Sequence, residues 1–363
     1  MLNKLVLDKV RRALIRKGDA FCGRFFPLDK TLQEMALRPF ELHLELTNLC
    51  NANCIFCPYQ FQETEVQFMT DDVFHKSVED FIDCGGGSVG LTPIVGDALI
   101  DKKFLQRVKY LRSRKEIDRI WMTTNAILLD SHGVTEVLSS GLTSINISIA
   151  GFDEAMYERV YRSKSYKRVL RNVRSLLEIN KANENKIPIT LSLRPDRPLD
   201  QVMKYPDFVD IVQSKPQLDF TWSFTTANGR ITRAMLPPAM KLRSAEVKKE
   251  PCVQLYNGPI VLPDGTVMAC SCVAAIDAQK DLGIGNILAS DLLTLWTNQK
   301  LKDLRASFAT GALNATCKGC DMYRNLELYR TSEGRKRGEI NAKRLSGEII
   351  KRADRPGGFF SGG

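Results

Sequence analysis

From residue 40 onward, short apolar runs alternate with longer segments in which apolar residues recur every three or four positions. The short runs predict β-strands, and they read ELHLEL, GSVGLTPIV, DRIWMTTN, SINISIAG and IPITLSLRP. The longer segments predict amphipathic helices; in MTDDVFHKSVEDFIDCG, Thr70 suits the N-cap and Gly85 suits the stop. Strands that alternate with helices in this way predict a parallel sheet of right-handed βαβ units, so the fold class is α/β.

After Pro251 the pattern changes to short strands and turns. Apolar runs flank Pro263-Asp264-Gly265 in GPIVLPDGTVMACSC, which predicts a β-hairpin, and SDLLTLWTNQKLKDLRASFATG predicts further helix. We therefore expect four regions: a basic helical extension over 1–39, an α/β domain over 40–225, a small hairpin-and-helix domain over 226–330, and a basic, partly disordered tail over 331–363.

The composition is that of a globular protein, since 44% of the 363 residues are hydrophobic and 26% are charged. No apolar run approaches the ~20 residues of a transmembrane helix. The N-terminal segment has neither a continuous apolar stretch nor a small-residue cleavage site. Ten cysteines would be a hazard in an oxidising compartment but are good iron ligands in a reducing one. We therefore expect a cytoplasmic protein without a membrane span.

The formal net charge is +10, and much of the excess lies near the two chain ends. Positive ends can attract phosphate-bearing substrates, nucleic acid or anionic lipid. Nucleic acid is not expected here, because the basic residues are not interleaved with aromatic ones. The apolar residues of the first 18 positions fall near one helical face, which predicts docking either on the α/β domain or on a membrane surface.

Three cysteines, Cys50, Cys54 and Cys57, follow the first predicted strand with the spacing CxxxCxxC. A [4Fe–4S] cluster held by three thiolates keeps one iron without a protein ligand, and that iron can chelate a small molecule and pass it an electron. A zinc site or a disulfide is the alternative, but zinc sites commonly use two CxxC pairs, and no histidine is nearby. The spacing therefore predicts a redox cluster.

The CxxxCxxC motif, with Phe56 directly before its last cysteine, resembles the radical S-adenosylmethionine (SAM) superfamily. The resemblance implies a partial (β/α)6 barrel of the TIM type over about residues 40–225, with Cys50, Cys54 and Cys57 as cluster ligands. It also implies that SAM binds the fourth iron and is cleaved to methionine and a 5′-deoxyadenosyl radical, which removes a substrate hydrogen atom. An external reductant such as flavodoxin or ferredoxin would supply the electron.

The same resemblance implies a set of SAM contacts. The family commonly carries a GGEP run after the second strand; here Gly96 and Asp97 match it in kind, whereas Val95 and Ala98 depart from it. A carboxylate such as that of Asp97 can accept from the SAM ammonium group.

Four more residues complete this implied set. Asn125 lies in a TTNA run that resembles the TNG of the family, Ser148 follows the fourth strand, and Arg194 ends the fifth, where a guanidinium can pair with the SAM carboxylate. Phe56 is included because it lies within the cysteine motif. Each of these could instead be an ordinary residue at the end of a strand.

A second group of cysteines lies in the C-terminal region, where Cys252 and Cys270 bracket Gly265 as C-x12-G-x4-C and Cys317 and Cys320 form a CxxC. This pattern resembles the SPASM and Twitch extensions of radical SAM enzymes, which hold auxiliary [4Fe–4S] clusters. Because no cysteine follows Cys320, the resemblance implies one auxiliary cluster, held by these four residues and making two clusters in all. Cys272 is a spare or an alternative ligand. A structural zinc site remains the other interpretation.

The leading functional hypothesis is oxidation of a sugar or aminocyclitol, with the auxiliary cluster relaying an electron; a phosphorylated or nucleotide-linked substrate would suit the positive charge. Epimerisation is an alternative that needs a hydrogen donor, for which Cys22, Cys84 and Cys272 are candidates. Modification of ribosomal peptides is another; such enzymes commonly carry a peptide-binding domain, for which the forty residues before the first strand leave too little room. A non-catalytic zinc-binding protein is the remaining alternative.

Overall fold

The structure is a computed structural model that describes residues 33, 35–92, 94–184 and 186–324. Six strands pair in parallel, each with the next along the chain. They are β1 (Glu41–Leu44), β2 (Gly87–Leu91), β3 (Ile117–Thr124), β4 (Ser144–Ile149), β5 (Ile189–Leu193) and β6 (Gln217–Phe220). This order confirms the predicted α/β class and the six-stranded partial barrel.

Helices connect these strands and cover the outer face of the sheet. They are α1 (Asp71–Asp83), α2 (Phe104–Ser113), α3 (Leu129–His132), α4 (Val134–Ser139), α5 (Glu154–Tyr161), α6 (Tyr166–Ala182), α7 (Leu199–Val202) and α8 (Pro206–Gln213). The predicted start of α1 is confirmed, because the Thr70 hydroxyl accepts a hydrogen bond from the Val73 amide at 3.3 Å. Gly85, directly after the helix, has φ +98°, which suits glycine.

Along β4, buried and partly buried side chains alternate. In β4, Ile145, Ile147 and Ile149 are buried in the hydrophobic core with the helices, whereas Ser144, Asn146 and Ser148 are only partly buried. Since neighbouring residues of a strand point to opposite faces, the polar set lies on the inner face of the barrel. We call the space that this inner face encloses the lumen.

The C-terminal region adds three strands to the same sheet. After a small pair, β7 (Ser223–Phe224) and β8 (Lys241–Leu242), come β9 (Ile260–Val261), β10 (Thr266–Met268) and β11 (Gly283–Asn286). The predicted hairpin is confirmed, because β9 and β10 pair in antiparallel fashion. β9 also pairs in parallel with β1, which gives a nine-stranded sheet in the order β11-β10-β9-β1-β2-β3-β4-β5-β6. The sheet is therefore continuous across the predicted domain division, which itself stays a prediction.

Five helices complete the described C-terminal region: α9 (Gln254–Asn257), α10 (Gln279–Leu282), α11 (Leu292–Trp296), α12 (Gln299–Thr310) and α13 (Ala315–Gly319). The amide of Leu292 donates to Asp80 of α1 at 3.0 Å, so α11 lies against the barrel. Within the described ranges, no helix is long and apolar enough to cross a membrane. Most of the predicted N-terminal extension, with Cys22, and the tail over 331–363 lie outside the described residues.

Candidate functional site

The first three predicted ligands lie in one loop, residues 47–57, which follows β1 and which we call the cysteine loop. Its backbone is bonded to α5, because the Asn53 amide donates to the Tyr161 carbonyl at 3.1 Å. The Cys57 amide donates to the Cys54 carbonyl at 3.0 Å, which closes a tight turn. The Cys54 thiol interacts electrostatically with those of Cys50 and Cys57. The structure therefore brings these three thiols together at the carboxyl end of β1.

Burial dominates the acid–base behaviour of these thiols. It raises the pKa of Cys50 to about 12, and the nearby Asp97 carboxylate adds to that rise. Burial also raises the pKa of Cys54 and Cys57, while the positive charge of Arg194 acts in the opposite direction. Since iron binds thiolates, a bound cation must offset this cost of ionisation. Three grouped, partly buried thiols beside a guanidinium fit a cluster site.

Gly96 allows the loop after β2 to lie directly against the cysteine loop. It has φ +104°, and a Cβ atom at this position would lie 2.5 Å from the Thr47 carbonyl oxygen. The next amide, that of Asp97, donates to the Leu49 carbonyl at 2.9 Å. Any larger residue at position 96 would push these two loops apart.

The buried carboxylate of Asp97 joins the loops after β2 and β3. It accepts from the Thr124 hydroxyl at 2.8 Å, from the Asn125 amide at 2.8 Å and from the Leu99 amide at 3.0 Å. Both of its oxygens therefore already bind donors of this chain. The contacts give Asp97 a positioning role, and its contact with the SAM ammonium group stays a prediction.

Glu45 is a buried residue of this region that the sequence patterns do not single out. It follows β1, and its Oε2 accepts from the amides of Ile94 at 2.7 Å and Val95 at 3.4 Å. Burial raises the pKa of its carboxyl group to about 8, although these two amides act in the opposite direction. Glu45 thus holds the loop that carries Gly96.

Asn125 lies against the cysteine loop, as its predicted role requires. Its Nδ2 donates to Asn51 Oδ1 at 2.6 Å and lies 3.8 Å from the Cys50 sulfur, while its Oδ1 accepts from the Ile127 amide at 3.0 Å. The amide is therefore fixed in orientation beside one of the three thiols.

Phe56 lies at the centre of a group of aromatic and charged side chains. Its ring stacks on Phe224 with centroids 4.8 Å apart and meets the edge of Tyr161 at 5.7 Å. The guanidinium of Arg194 lies 5.7 Å from the Phe56 ring centre. The Tyr161 hydroxyl bonds to that of Ser148 at 2.7 Å. Two predicted residues, Arg194 and Ser148, thus join the cysteine loop through aromatic neighbours that the sequence did not single out.

Four polar side chains cross the lumen from β3 to β6, and we call Thr123, Asn146, Ser192 and Asp219 the lumen row. Asn146 Nδ2 lies 3.3 Å from the Thr123 hydroxyl, and Ser192 Oγ lies 2.8 Å from Asn146 Oδ1 and 3.2 Å from Asp219 Oδ2. Beside Thr123 and Asn146 of this row is an open cavity of about 670 Å³, the lumen cavity, which lies toward the amino-terminal ends of β3 to β6 and so at the opposite end of the barrel from the cysteine loop. Its lining includes Asp118, Arg119, Trp121, Asn146, Thr190 and Gln217. The alternation in SINISI signals this polar face.

The five C-terminal cysteines border one further cavity, which we call the auxiliary cavity. They come from three segments: Cys252 precedes α9, Cys270 and Cys272 follow β10, and Cys317 and Cys320 lie in and after α13. The rest of the lining is largely apolar and includes Leu255 and Phe308. The structure therefore places Cys272 with the four predicted ligands.

The auxiliary cavity offers enough thiols to hold a [4Fe–4S] cluster. Burial raises the pKa of Cys317 to about 11 and that of Cys320 to about 12, so ionisation again needs a bound cation. A cubane binds its four thiolates on four different irons, so it needs ligands spread around a cavity.

Two carboxylates connect the auxiliary region to the barrel mouth. Asp321, the residue after Cys320, accepts from the Thr225 hydroxyl and the Thr226 amide, both at 2.5 Å. Asp277 accepts from the Thr64 hydroxyl and from Arg230, both at 2.8 Å. The positions of the two cysteine groups are thereby fixed relative to each other.

Comparisons with known proteins agree with this arrangement. Residues 44–205 match the family described as the radical SAM superfamily, and residues 252–321 match SPASM, an iron-sulfur cluster-binding domain. A GTP 3′,8-cyclase of Pasteurella multocida is 27% identical over 154 residues, 42% of this chain and 45% of that protein. The chain thus spans about half the length of such curated relatives.

Two solved structures share the fold. BtrN in complex with AdoMet and 2-DOIA has a TM-score of 0.53 at 16% identity and covers 78% of this chain and 93% of its own. Streptococcus suis SuiB bound to precursor peptide SuiA has a TM-score of 0.57 at 15% identity, and the match covers 83% of this chain and 76% of the SuiB chain.

The radical SAM domain implies SAM and a [4Fe–4S] cluster, and the SPASM domain implies further cluster binding, which confirms the predicted cofactors. The cysteine spacing, the partial barrel and these two matches lead to one assignment. The chain carries a radical SAM domain over residues 44–205 and a SPASM iron-sulfur cluster-binding domain over residues 252–321.

Proposed function

We propose that this radical SAM enzyme removes a hydrogen atom from a polar small molecule in the lumen and oxidises it by two electrons. The proposed substrate class is a sugar or aminocyclitol. The observation that carries this proposal is the lumen row, a line of hydrogen-bonding side chains across four strands inside the barrel. Such a surface suits hydroxyl and amino groups better than apolar ones.

When bound, the first cluster and SAM supply one electron and the 5′-deoxyadenosyl group that takes the hydrogen atom, while the auxiliary cluster accepts the second electron of the oxidation. For an alcohol carbon, the C–H hydrogen and the O–H proton leave, and a C=O double bond forms. An external reductant of the flavodoxin or ferredoxin class supplies the electron for the first cluster in this proposal.

At the SAM end, the chain contributes orientation and charge. Arg194, held by its bond to the Ser192 carbonyl at 2.9 Å, presents a guanidinium toward the cysteine loop, where it can receive a carboxylate. Asn125 keeps its amide beside Cys50. Asp97 fixes the position of the loop after β2, because its carboxylate accepts from Thr124 and its amide donates to the Leu49 carbonyl. Gly96 allows this loop to lie against the cysteine loop.

In the lumen, Ser192 and Asn146 provide the groups that would position substrate hydroxyls. Asp219 contributes the one carboxylate of the lumen row, and its Oδ2 lies within reach of the Ser192 hydroxyl. A carboxylate oxygen there can accept the hydroxyl proton that leaves during oxidation, or it can bind a substrate ammonium group.

A nucleotide substrate is the alternative that the cyclase relatives suggest. A triphosphate needs several cationic groups, but the four residues of the lumen row include no cationic side chain and one carboxylate, that of Asp219. This balance of charge favours a neutral or amino-bearing substrate.

Peptide modification is the second alternative, because SuiB was crystallised with a precursor peptide. Epimerisation is less well supported, since neither Cys84 nor Cys272 borders the lumen cavity. Cys84 lies at the end of α1, next to the amino-terminal end of β2, and Cys272 borders the auxiliary cavity. Cys22 lies outside the described residues.

The test is deuterium transfer in the anaerobically reconstituted holoenzyme. Candidate sugars and aminocyclitols, deuterated at each hydroxyl-bearing carbon, are incubated with SAM and reductant, and 5′-deoxyadenosine is analysed by mass spectrometry. We expect deuterium from one of these candidates. Transfer from a labelled peptide or GTP, with none from any polyol, would overturn the substrate class.

A matched pair of variants links the result to the lumen row. Ser192→Ala removes a lumen hydroxyl and should lower kcat/KM about tenfold, as expected for one lost hydrogen bond of about 1.4 kcal/mol. Ser77→Ala removes an equally buried hydroxyl of α1 that bonds to the Val73 carbonyl outside the barrel. It should leave kcat/KM unchanged.

A further inference from the structure

We propose that Cys270 and Cys272 are alternative ligands of the same iron atom of the auxiliary cluster. Cys270 is the usual ligand, and Cys272 binds this iron when the Cys270 thiol is missing. The inference rests on the proposed function only in requiring that the auxiliary cavity holds a [4Fe–4S] cluster. It assigns a role to the fifth thiol, which the four-cysteine pattern omits.

The number of corners and the origin of the thiols lead to this assignment. A cubane offers four irons to protein ligands. Cys252 reaches the auxiliary cavity from the segment before α9, and α13 with its C-cap supplies Cys317 and Cys320. These three residues provide three corners. Among the described residues, the segment after β10 brings the two remaining thiols that border this cavity, so we assign the fourth iron to that segment.

Cys270 and Cys272 lie close enough together to occupy one corner. The Cys272 amide donates a hydrogen bond to the Cys270 sulfur at 3.4 Å. Cys272 has an extended backbone, with φ −71° and ψ 144°. Both residues border the auxiliary cavity.

A shared local geometry identifies Cys270 as the usual ligand. The sulfur of Cys270 accepts a hydrogen bond from the amide of the residue two positions later. The sulfur of Cys320 likewise accepts one from the Met322 amide at 3.3 Å. Hydrogen bonds from backbone amides to the ligand sulfurs stabilise the reduced cluster and raise its reduction potential. Among the described contacts, no backbone amide donates a hydrogen bond to the Cys272 sulfur. A cluster bound through Cys272 should therefore have a lower reduction potential than one bound through Cys270.

The experiment counts auxiliary irons in a background that lacks the first cluster, the full-length protein with Cys50, Cys54 and Cys57 replaced by alanine. In this parent we expect about four irons per chain. Adding Cys270→Ala or Cys272→Ala singly should keep about four irons, whereas the double substitution should lose them or give a three-iron EPR signal. Cys252→Ala in the same parent is the control that should lose the cluster alone.

Further readouts separate the outcomes. Cys270→Ala should lower the midpoint potential of the auxiliary cluster, and Cys272→Ala should leave it near the parent value. Circular dichroism and gel filtration check that each variant is folded. If Cys270→Ala alone loses as much iron as Cys252→Ala, Cys272 is no substitute and the inference is wrong. A parent without iron would instead refute the auxiliary cluster, and with it the proposed function.

Discussion

The cysteine loop and the auxiliary cavity reach similar chemistry by different routes. The loop takes its three thiols from eight consecutive residues directly after β1, and backbone bonds to α5 hold it. The auxiliary cavity takes five thiols from three segments that are far apart in sequence. A local ligand set is fixed as soon as one loop forms. A dispersed set depends on the packing of several elements, and it can therefore carry a spare ligand.

The largest expected effect comes from removing the local set. Replacing Cys50, Cys54 and Cys57 together by alanine should abolish SAM cleavage and lower the iron content from about eight to about four per chain. Iron and sulfide analysis of anaerobically purified protein measures this. Zinc in place of iron in the parent protein would contradict both cluster assignments.

Removing one ligand of the auxiliary cavity should separate SAM cleavage from oxidation of the substrate. In the otherwise unchanged enzyme, Cys252→Ala should keep 5′-deoxyadenosine formation but lower the yield of oxidised product at least about tenfold, because the second electron loses its acceptor. Chromatography of both products measures the ratio. Cys84→Ala, a buried cysteine outside both groups, is the matched control and should keep both products. Unchanged product yield in Cys252→Ala would show that the auxiliary cluster is not the acceptor.

The link between the two regions should have a smaller effect. Asp321→Ala would deprive the Thr225 hydroxyl and the Thr226 amide of their acceptor, at a cost of about 1–3 kcal/mol each when buried. We expect a lower Tm together with less product per 5′-deoxyadenosine. Asp303→Ala removes an exposed carboxylate of α12 and should change neither value. A lower Tm with an unchanged product ratio would limit Asp321 to stability.

The smallest effect concerns Glu45 and pH. Since burial raises its pKa to about 8 in the folded protein, the stability that its neutral form provides is complete below its usual pKa of 4.5. That stability is lost as the pH rises toward 8, by at most about 1.4 kcal/mol per pH unit. Glu45→Gln cannot ionise, so its Tm should exceed the wild-type Tm by a margin that widens from pH 6 to pH 8. A constant margin would mean that Glu45 is already ionised at pH 6.

Features that are determined by residues close together in the chain could be predicted from the sequence. The strand order, the start of α1 at Thr70 and the turn at Gly265 all follow from residues close together in the chain. The polar lumen was also readable, because SINISI alternates, but alternation alone does not say which face encloses a cavity.

Other features depend on contacts between distant residues. The bond between Thr225 and Asp321 joins positions that no spacing rule relates. The two oxygens of Asp97 bind this chain's own donors, which a match to a motif could not reveal. The pairing of β9 with β1 was not predicted either, because a hairpin signal specifies its own turn but not the strand beside it.

That last pairing has a consequence for biosynthesis. β1 is made early, yet its partner β9 follows roughly two hundred residues later, so one edge of the nascent sheet has no partner while the ribosome works through the barrel. An open strand edge invites pairing with other chains. Late closure also means that the cysteine loop emerges before the sheet around it is complete. A chaperone that shields the β1 edge until β9 has been made should therefore raise the yield of folded protein more than it would for a barrel that closes locally.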